Sequence, residues 1–206
     1  MTQPDWSKKP SLIEHAREFI KKRDGKPGNV FLEPIHRIDR VCSGIVVMAK
    51  TSKSLSRCMQ SLRDQVCTKE YIAVVEGLIP QDEGKLENYI VHGDFRAIKS
   101  SESDTQAKKA TLTYKVILRT TQFTVLRVQL HTGRYHQIRA QFAWKGHPIL
   151  GDQKYGSEVP FAEGAIALHH NHFCFPHPTT KETILIDCKV PPKWLLKLND
   201  ERLKGL

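Results

Sequence analysis

In the run His36-Arg37-Ile38-Asp39-Arg40-Val41-Cys42-Ser43-Gly44, one carboxylate stands between two arginines and leads into the apolar residues Ile45-Val46-Val47-Met48-Ala49. Flanking fixed cations favour the charged form of a carboxylate. A charged carboxylate at the mouth of a buried strand suits a nucleophile or a base working at neutral pH. On charge alone, a structural ion pair of Asp39 with Arg37 or Arg40 reads better still, because such pairs are common at strand entrances.

A second concentration of cations lies in His131-Thr132-Gly133-Arg134-Tyr135-His136-Gln137-Ile138-Arg139. Gly133 is expected to take a positive φ and let the backbone approach a partner. Arg134 offers a planar fork for a carboxylate or phosphate. His136 and Arg139 add donors near a helix start, which itself favours anions. An ordinary turn before a helix is the competing account. Tyr71, in Lys69-Glu70-Tyr71-Ile72-Ala73, shares a strand face with Ala73 and Val75. A tyrosine there belongs to the core, or it offers a stacking surface for a base swung out of its helix.

The elements that would position these groups are legible in outline. Ser11 and Glu14 have the spacing of a capping box for a charged helix over 11–22. The span 44–50 reads as a buried strand. Ser52 is placed to cap a helix whose Leu55, Cys58, Met59, Leu62 and Val66 form one apolar stripe and so belong to the core. Strands are expected over 69–76, 85–91, 110–118 and 123–130, with a mobile polar loop over 99–109. A helix over 135–144 is stopped by Gly146 and Pro148, and 165–175 and 183–190 form a last strand pair. A short helix through Trp194 and Leu198 closes the chain. Residues 1–31 read as a leader and 32–206 as the main body. Strands outnumber helices and are joined by short turns, which predicts an α+β fold with an antiparallel sheet.

The 206 residues suffice for a real core, and the formal charge of +10, with a pI near 9.4, points to a polyanionic partner. The longest apolar run is far short of the ~18 residues of a membrane span, and residues 1–10 lack the apolar core of a signal peptide. Five scattered cysteines (Cys42, Cys58, Cys67, Cys174, Cys188) without a C-x-x-C pair suit a reducing cytoplasm. His169, His170, His172 and His177 cluster, but no cysteine pair or H-E-x-x-H helix accompanies them, so no metal site is expected. Gly25-Lys26-Pro27-Gly28 lacks the spacing of a phosphate loop, and no G-x-S-x-G occurs.

Four blocks taken together resemble the RluA family of pseudouridine synthases: H-R-I-D-R-x-x-S-G over 36–44, K-E-Y-I-A over 69–73, T-G-R-Y-H-Q-I-R over 132–139 and G-H-P-I-L-G-D-x-x-Y-G over 146–156. They stand in the family order and the resemblance covers about 36–191. It implies a mixed, mostly antiparallel central sheet flanked by helices with a catalytic cleft, and an enzyme that isomerises uridine in RNA without metal or organic cofactor. By resemblance, Asp39 is the essential carboxylate, Arg134 its ion-pair partner, Tyr71 the side chain packed on the target base, and Arg37 the group that helps push the base out. Arg40, His136 and Arg139 are expected to contact RNA, and Leu168 to line the pocket. The implied partner is a structured ribosomal or transfer RNA stem-loop, met by a monomer in the cytoplasm.

Two departures stand out. The family carries a strand pair ending in a lysine-proline-glycine turn before the first block; here that portion is short, Lys9-Pro10-Ser11 is its nearest counterpart, and an S4-like RNA-binding domain has no room. Gln141 stands where a histidine is common. Two other functions compete with this one. The first is an RNA-binding protein that has lost catalysis, which has little need of Asp39, Tyr71 and Arg134 together. The second is a nuclease using Asp39 and the histidines, which would cut RNA strands.

Overall fold

The computed structural model describes residues 10–198. Helix α1 (Leu12–Arg23) is capped by Ser11 and Glu14 in the reciprocal capping box that their spacing predicts. Arg17 ties this helix to the body, pairing with Glu33 and donating from Nε to Leu32 O at 3.2 Å. Lys9 lies outside the described residues, and Ser11, expected to belong to a turn remnant, serves as the helix cap.

The short strands β1 (Glu33–Pro34), β2 (Ser43–Gly44) and β3 (Met48–Ala49) precede helix α2 (Ser52–Arg63). Strands β4 (Thr68–Glu76), β5 (Glu83–His92), β6 (Ala97–Ser100), β7 (Lys108–Arg119) and β8 (Phe123–Leu130) follow, then helix α3 (Gln137–Trp144) and a single 3-10 turn (Gln153–Tyr155). Strands β9 (Leu168–Pro176) and β10 (Thr183–Asp187) and helix α4 (Pro192–Leu198) complete the described chain. The main sheet runs in the order β10-β9-β4-β8-β7-β5-β6, antiparallel throughout, with β2 added parallel to β9. This is the α+β architecture expected from the strand-rich pattern, a mostly antiparallel sheet with helices against it.

β4 is the axis of the core. Its five consecutive residues Tyr71-Ile72-Ala73-Val74-Val75 are all buried, because β9 and β8 flank it and both faces are covered. A strand covered on both faces needs an unbroken apolar run rather than alternation. On one side Ile138 and Phe142 of α3 join the same cluster as Leu112, Leu126 and Val128. A smaller cluster beneath α2 gathers Ile45, Ala49, Cys58, Phe173 and Phe175.

Three expectations change. The single strand over 44–50 is broken into β2 and β3, because its backbone groups go to different partners. Ile45 N donates to His170 O (3.0 Å), Val47 O accepts from Ile35 N (3.0 Å), and Val47 N donates to the His36 ring at Nε2 (3.1 Å). Gly44 sits at φ +120 against the His170 backbone, where a Cβ would overlap the His170 carbonyl, so the close approach of β2 to β9 requires glycine. In α2 the cap is Thr51, one residue before Ser52, with Ser54 completing the box. Of its stripe only Cys58 is buried. Met59 and Val66 are exposed, since α2 rests on β3 and β9 along a narrow strip and Val66 lies past the helix end. Finally, the loop over 99–109 is strand at both ends, β6 running to Ser100 and β7 starting at Lys108, and between them lies a turn held by Asp104, which accepts from Ser100 Oγ (2.7 Å) and Gln106 N (2.9 Å). β6 has one buried residue, Ala97, and an exposed Ile98, too little pattern to be read from sequence.

Candidate active site

A cleft of about 280 Å³ opens where the first loop, the start of β4, the end of β8, the start of α3 and the start of β9 converge. Its wall brings together Arg37, Asp39, Tyr71, Arg134, His136, Arg139 and Leu168, seven of the eight candidate residues, from segments up to 131 positions apart. Arg40 is exposed and stands outside this wall.

Asp39 is held by backbone first. Cys42 N donates to Asp39 O at 2.9 Å, closing a tight turn, and Ile166 N donates to Val41 O at 3.0 Å. The carboxylate is about a quarter exposed and its partner is Arg139, whose NH1 donates to Oδ2 at 3.1 Å. The expected partner, Arg134, is not there. Arg134 is exposed and donates from Nε to Lys109 O at 2.9 Å, while its own N–H donates to Gln137 Oε1 at 3.0 Å. The reason is local geometry: residues 136 and 139 lie one turn apart on one face of the α3 start, whereas Arg134 belongs to the turn before it and reaches the start of β7.

Arg139 is 4% exposed and also grips Asp152, with Nε to Oδ2 at 2.6 Å and NH2 to Oδ1 at 2.8 Å. Burial alone would discourage the charge on Arg139; its hydrogen bonds and Coulombic attraction to Asp152, and then to Asp39, outweigh that and raise its pKa. Asp152 is 2% exposed and sits at the turn that leads into the 3-10 helix. Tyr155 from that turn lies under the guanidinium, 5.2 Å from its ring centre, and accepts from Ala97 N at 2.7 Å.

His136 is the left-handed residue of this region, at φ 50, and Gly133 does not take the positive φ expected of it. Burial first, then Arg139 and Lys154, push the His136 pKa down to about 3, so the ring is neutral. Its Nδ1 meets Tyr155 OH at 3.0 Å and its Nε2 faces Asp39 Oδ2 at 3.8 Å, too far for a hydrogen bond. Tyr71 is 7% exposed and stacks on His170 with centroids 4.6 Å apart at 20°. Burial pushes the Tyr71 phenol well up, so it stays protonated and serves as an apolar plate. His170 donates at Nδ1 to Ile45 O (2.8 Å), and burial takes its pKa down to about 4.

Sequence reasoning missed Asp152 and Tyr155 as parts of the site, although both lie in the G-H-P-I-L-G-D-x-x-Y-G block. A buried arginine needs charge neutralisation, and one carboxylate in that block was the signal. Lys69 was passed over as well. It lines the cleft, half-buried, and desolvation lowers its pKa. Among the described residues no group of three or more His, Cys, Asp or Glu is arranged to hold a metal ion, and no helix is long and apolar enough to cross a membrane.

This cleft lies in a chain whose residues 3–144 match the profile of the RNA pseudouridylate synthase family. The chain belongs to that family, with the blocks of its RluA branch. It is 34% identical over 171 residues to the uncharacterized RNA pseudouridine synthase YlyB of Bacillus subtilis (strain 168), covering 83% of this chain and 56% of that protein. It is 30% identical over 204 residues to tRNA pseudouridine synthase C of Vibrio vulnificus (strain CMCP6), covering 89% and 82%. With ribosomal large subunit pseudouridine synthase C of Buchnera aphidicola subsp. Acyrthosiphon pisum (strain APS) the identity is 33% over 183 residues, covering 85% and 56%. The chain thus spans little more than half the length of two of these relatives. The fold is similar to the solved human RNA pseudouridylate synthase domain containing 4, with a TM-score of 0.79 at 21% identity, covering 95% of this chain and 84% of that one.

Proposed function

We propose that the protein isomerises a uridine in structured RNA to pseudouridine, with Asp39 as the reacting carboxylate. The observation that carries this is a partly exposed carboxylate in the cleft, held through Oδ2 by a buried arginine and sharing the wall with an aromatic plate, Tyr71, in a chain of this family. The target base must leave its stack before the N1–C1′ bond can be reached, which costs a few kcal/mol. Arg37, exposed at the cleft, fills the vacated space, and Tyr71 and Leu168 pack on the extruded base. Asp39 then attacks C1′ or removes the C2′ proton. In either route the N1–C1′ bond breaks, C5 bonds to C1′, displacing the Asp39 ester in the first route or with return of the C2′ proton in the second, the C5 proton leaves and N1 takes one up. Atoms and oxidation level are conserved, so the reaction needs no redox cofactor.

The neutral His136 keeps a second positive charge away from Asp39, leaving Arg139 as its main electrostatic partner. The substrate is a stem-loop of ribosomal or transfer RNA, acted on by a single chain in the cytoplasm. The test is nucleotide-resolution mapping of pseudouridine in unmodified cellular RNA incubated with the purified protein. The wild type forms pseudouridine at defined uridines. Asp39→Asn forms none while binding the same RNA, and product from that variant would sink the assignment of Asp39. Protein that binds RNA but never yields product points instead to a binding-only role, and strand scission to a nuclease.

A further inference from the structure

Beside the cleft runs a second depression of about 330 Å³, bounded by the end of α2, the start of β4 and the turn over 131–134. It shares Lys69, Leu130, Gly133 and Arg134 with the cleft, so the two are continuous. We propose that this groove holds the phosphodiester backbone of the RNA strand next to the target nucleotide, with Lys69 as the cation common to both.

The charge of its lining sets the groove apart. Arg63, Lys69, His131 and Arg134 line it, and no Asp or Glu does. On strands β5 and β7, by contrast, several cations are matched: Lys85 and Lys109 share Glu87, Lys115 meets Glu83, and Arg119 meets Asp82. Among the described residues no carboxylate forms an ion pair with Arg63, Lys69 or Arg134. Arg63 is held instead by a neutral acceptor, Gln60 Oε1, at 3.2 Å from Nε and 2.6 Å from NH2. Those two bonds aim the guanidinium without cancelling its charge.

Lys69 is the most telling of the three. It is half-buried on β4, between Leu130 of β8 and Phe173 of β9, and an ammonium so placed without a counter-charge is electrostatically unfavourable. Burial lowers its pKa accordingly. A phosphate oxygen in the groove would supply the missing charge. The Gly133 backbone passes close to the ammonium: a Cβ at this position would sit 3.4 Å from Lys69 Nζ, in ordinary contact. The groove is open, polar and joined to the cleft at one end, which suits a chain of phosphates rather than a single small anion.

The proposal rests on the RNA reading of the cleft, and its test is built to fail separately from it. Binding of fluorescently labelled unfractionated transfer RNA is followed by anisotropy across a series of salt concentrations, in an Asp39→Asn background so that no turnover intervenes. Removing one cation from a phosphate reduces the slope of log Kd against log salt by about 0.7–1. Lys69→Gln and Arg63→Gln should each show that reduction. Lys115→Gln removes the same charge beside Glu83 and should keep the parental slope. Parental slopes in both groove variants overturn the proposal, as does an equal reduction in Lys115→Gln, which would mean general surface attraction. Arg63 is exposed at a helix end, so its variant reports even if Lys69→Gln folds poorly. A reduced slope in the groove variants together with no pseudouridine from wild-type protein would keep the groove and overturn the chemistry instead.

Discussion

Two arginines five residues apart, Arg139 and Arg134, meet opposite fates. Arg139 is sealed at the start of α3 and gives hydrogen bonds to two carboxylates, three bonds in all. Arg134 stands at the rim, exposed, with one side-chain bond to a carbonyl. The difference teaches how the site divides its labour. A buried guanidinium is tolerable only when matched, and here the match is unequal: Asp152 is gripped at both oxygens, Asp39 at one. The first carboxylate is structural and the second is left partly open to the cleft. The rim arginine, with no charge partner among the described residues, is available to a ligand.

The strongest way to break this contrast is Arg139→Met. It strands two carboxylates, and removing one member of a buried ion pair typically costs about 3–5 kcal/mol. Urea unfolding should show a destabilisation of that size together with abolished pseudouridine formation; a change under about 1 kcal/mol would mean that the network does not hold the site. Asp152→Asn comes next. It loosens the two-point grip inside the protein, so it should destabilise by about 2–3 kcal/mol, clearly more than Asp39→Asn, which leaves that grip intact. Equal costs for the two would erase the distinction between anchor and reacting group.

This division was not legible from the chain. Asp39 and Arg139 are 100 residues apart, and nothing local in T-G-R-Y-H-Q-I-R says which arginine turns inward. That choice follows from where α3 starts, and the start is set by His136 in a left-handed conformation that glycine was expected to supply. What could be read was the part governed by local pattern. The span 123–130 coincides with β8, and 69–76 matches β4 to within a residue, because β-rich apolar runs bounded by turn residues are local signals. The span 44–50 failed for the opposite reason, since its bonding is divided among β9, the segment before His36 and the His36 ring. Which side chains could meet in the cleft was readable from the family blocks, since residue type alone favoured a structural ion pair for Asp39. Which of them pair was a matter of tertiary geometry.

The histidines packed around the cleft add a response to acid. His36 and His136 are pushed down to about 3 and His170 to about 4, chiefly by burial, from an ordinary value of 6.5. Their folded values are depressed, so between pH 6.5 and about 3–4 the unfolded chain binds protons that the folded chain refuses. Stability is therefore full above pH 6.5 and falls as pH drops through that window, by up to about 1.4 kcal/mol per pH unit for each histidine. Urea midpoints measured from about pH 7.5 to about pH 5 should decline steadily. A flat profile would mean that these rings are not held neutral.

The smallest effect on stability, and the sharpest on the comparison, is expected of Arg134→Ala. Its family motif marks Arg134 as the ion-pair partner of Asp39, and removing such a partner would destabilise as Arg139→Met does. Its position argues otherwise. An exposed side chain with one bond to Lys109 O changes stability by no more than about 0.5 kcal/mol when removed. Because Arg134 lines both the cleft and the neighbouring groove, its removal should instead weaken RNA binding and lower the salt slope by about one. Paired urea and anisotropy measurements on the same variant separate the two roles. A destabilisation near that of Arg139→Met would return Arg134 to the carboxylate network. Unchanged stability with a reduced slope places it at the RNA backbone, leaving the charge balance of Asp39 to Arg139.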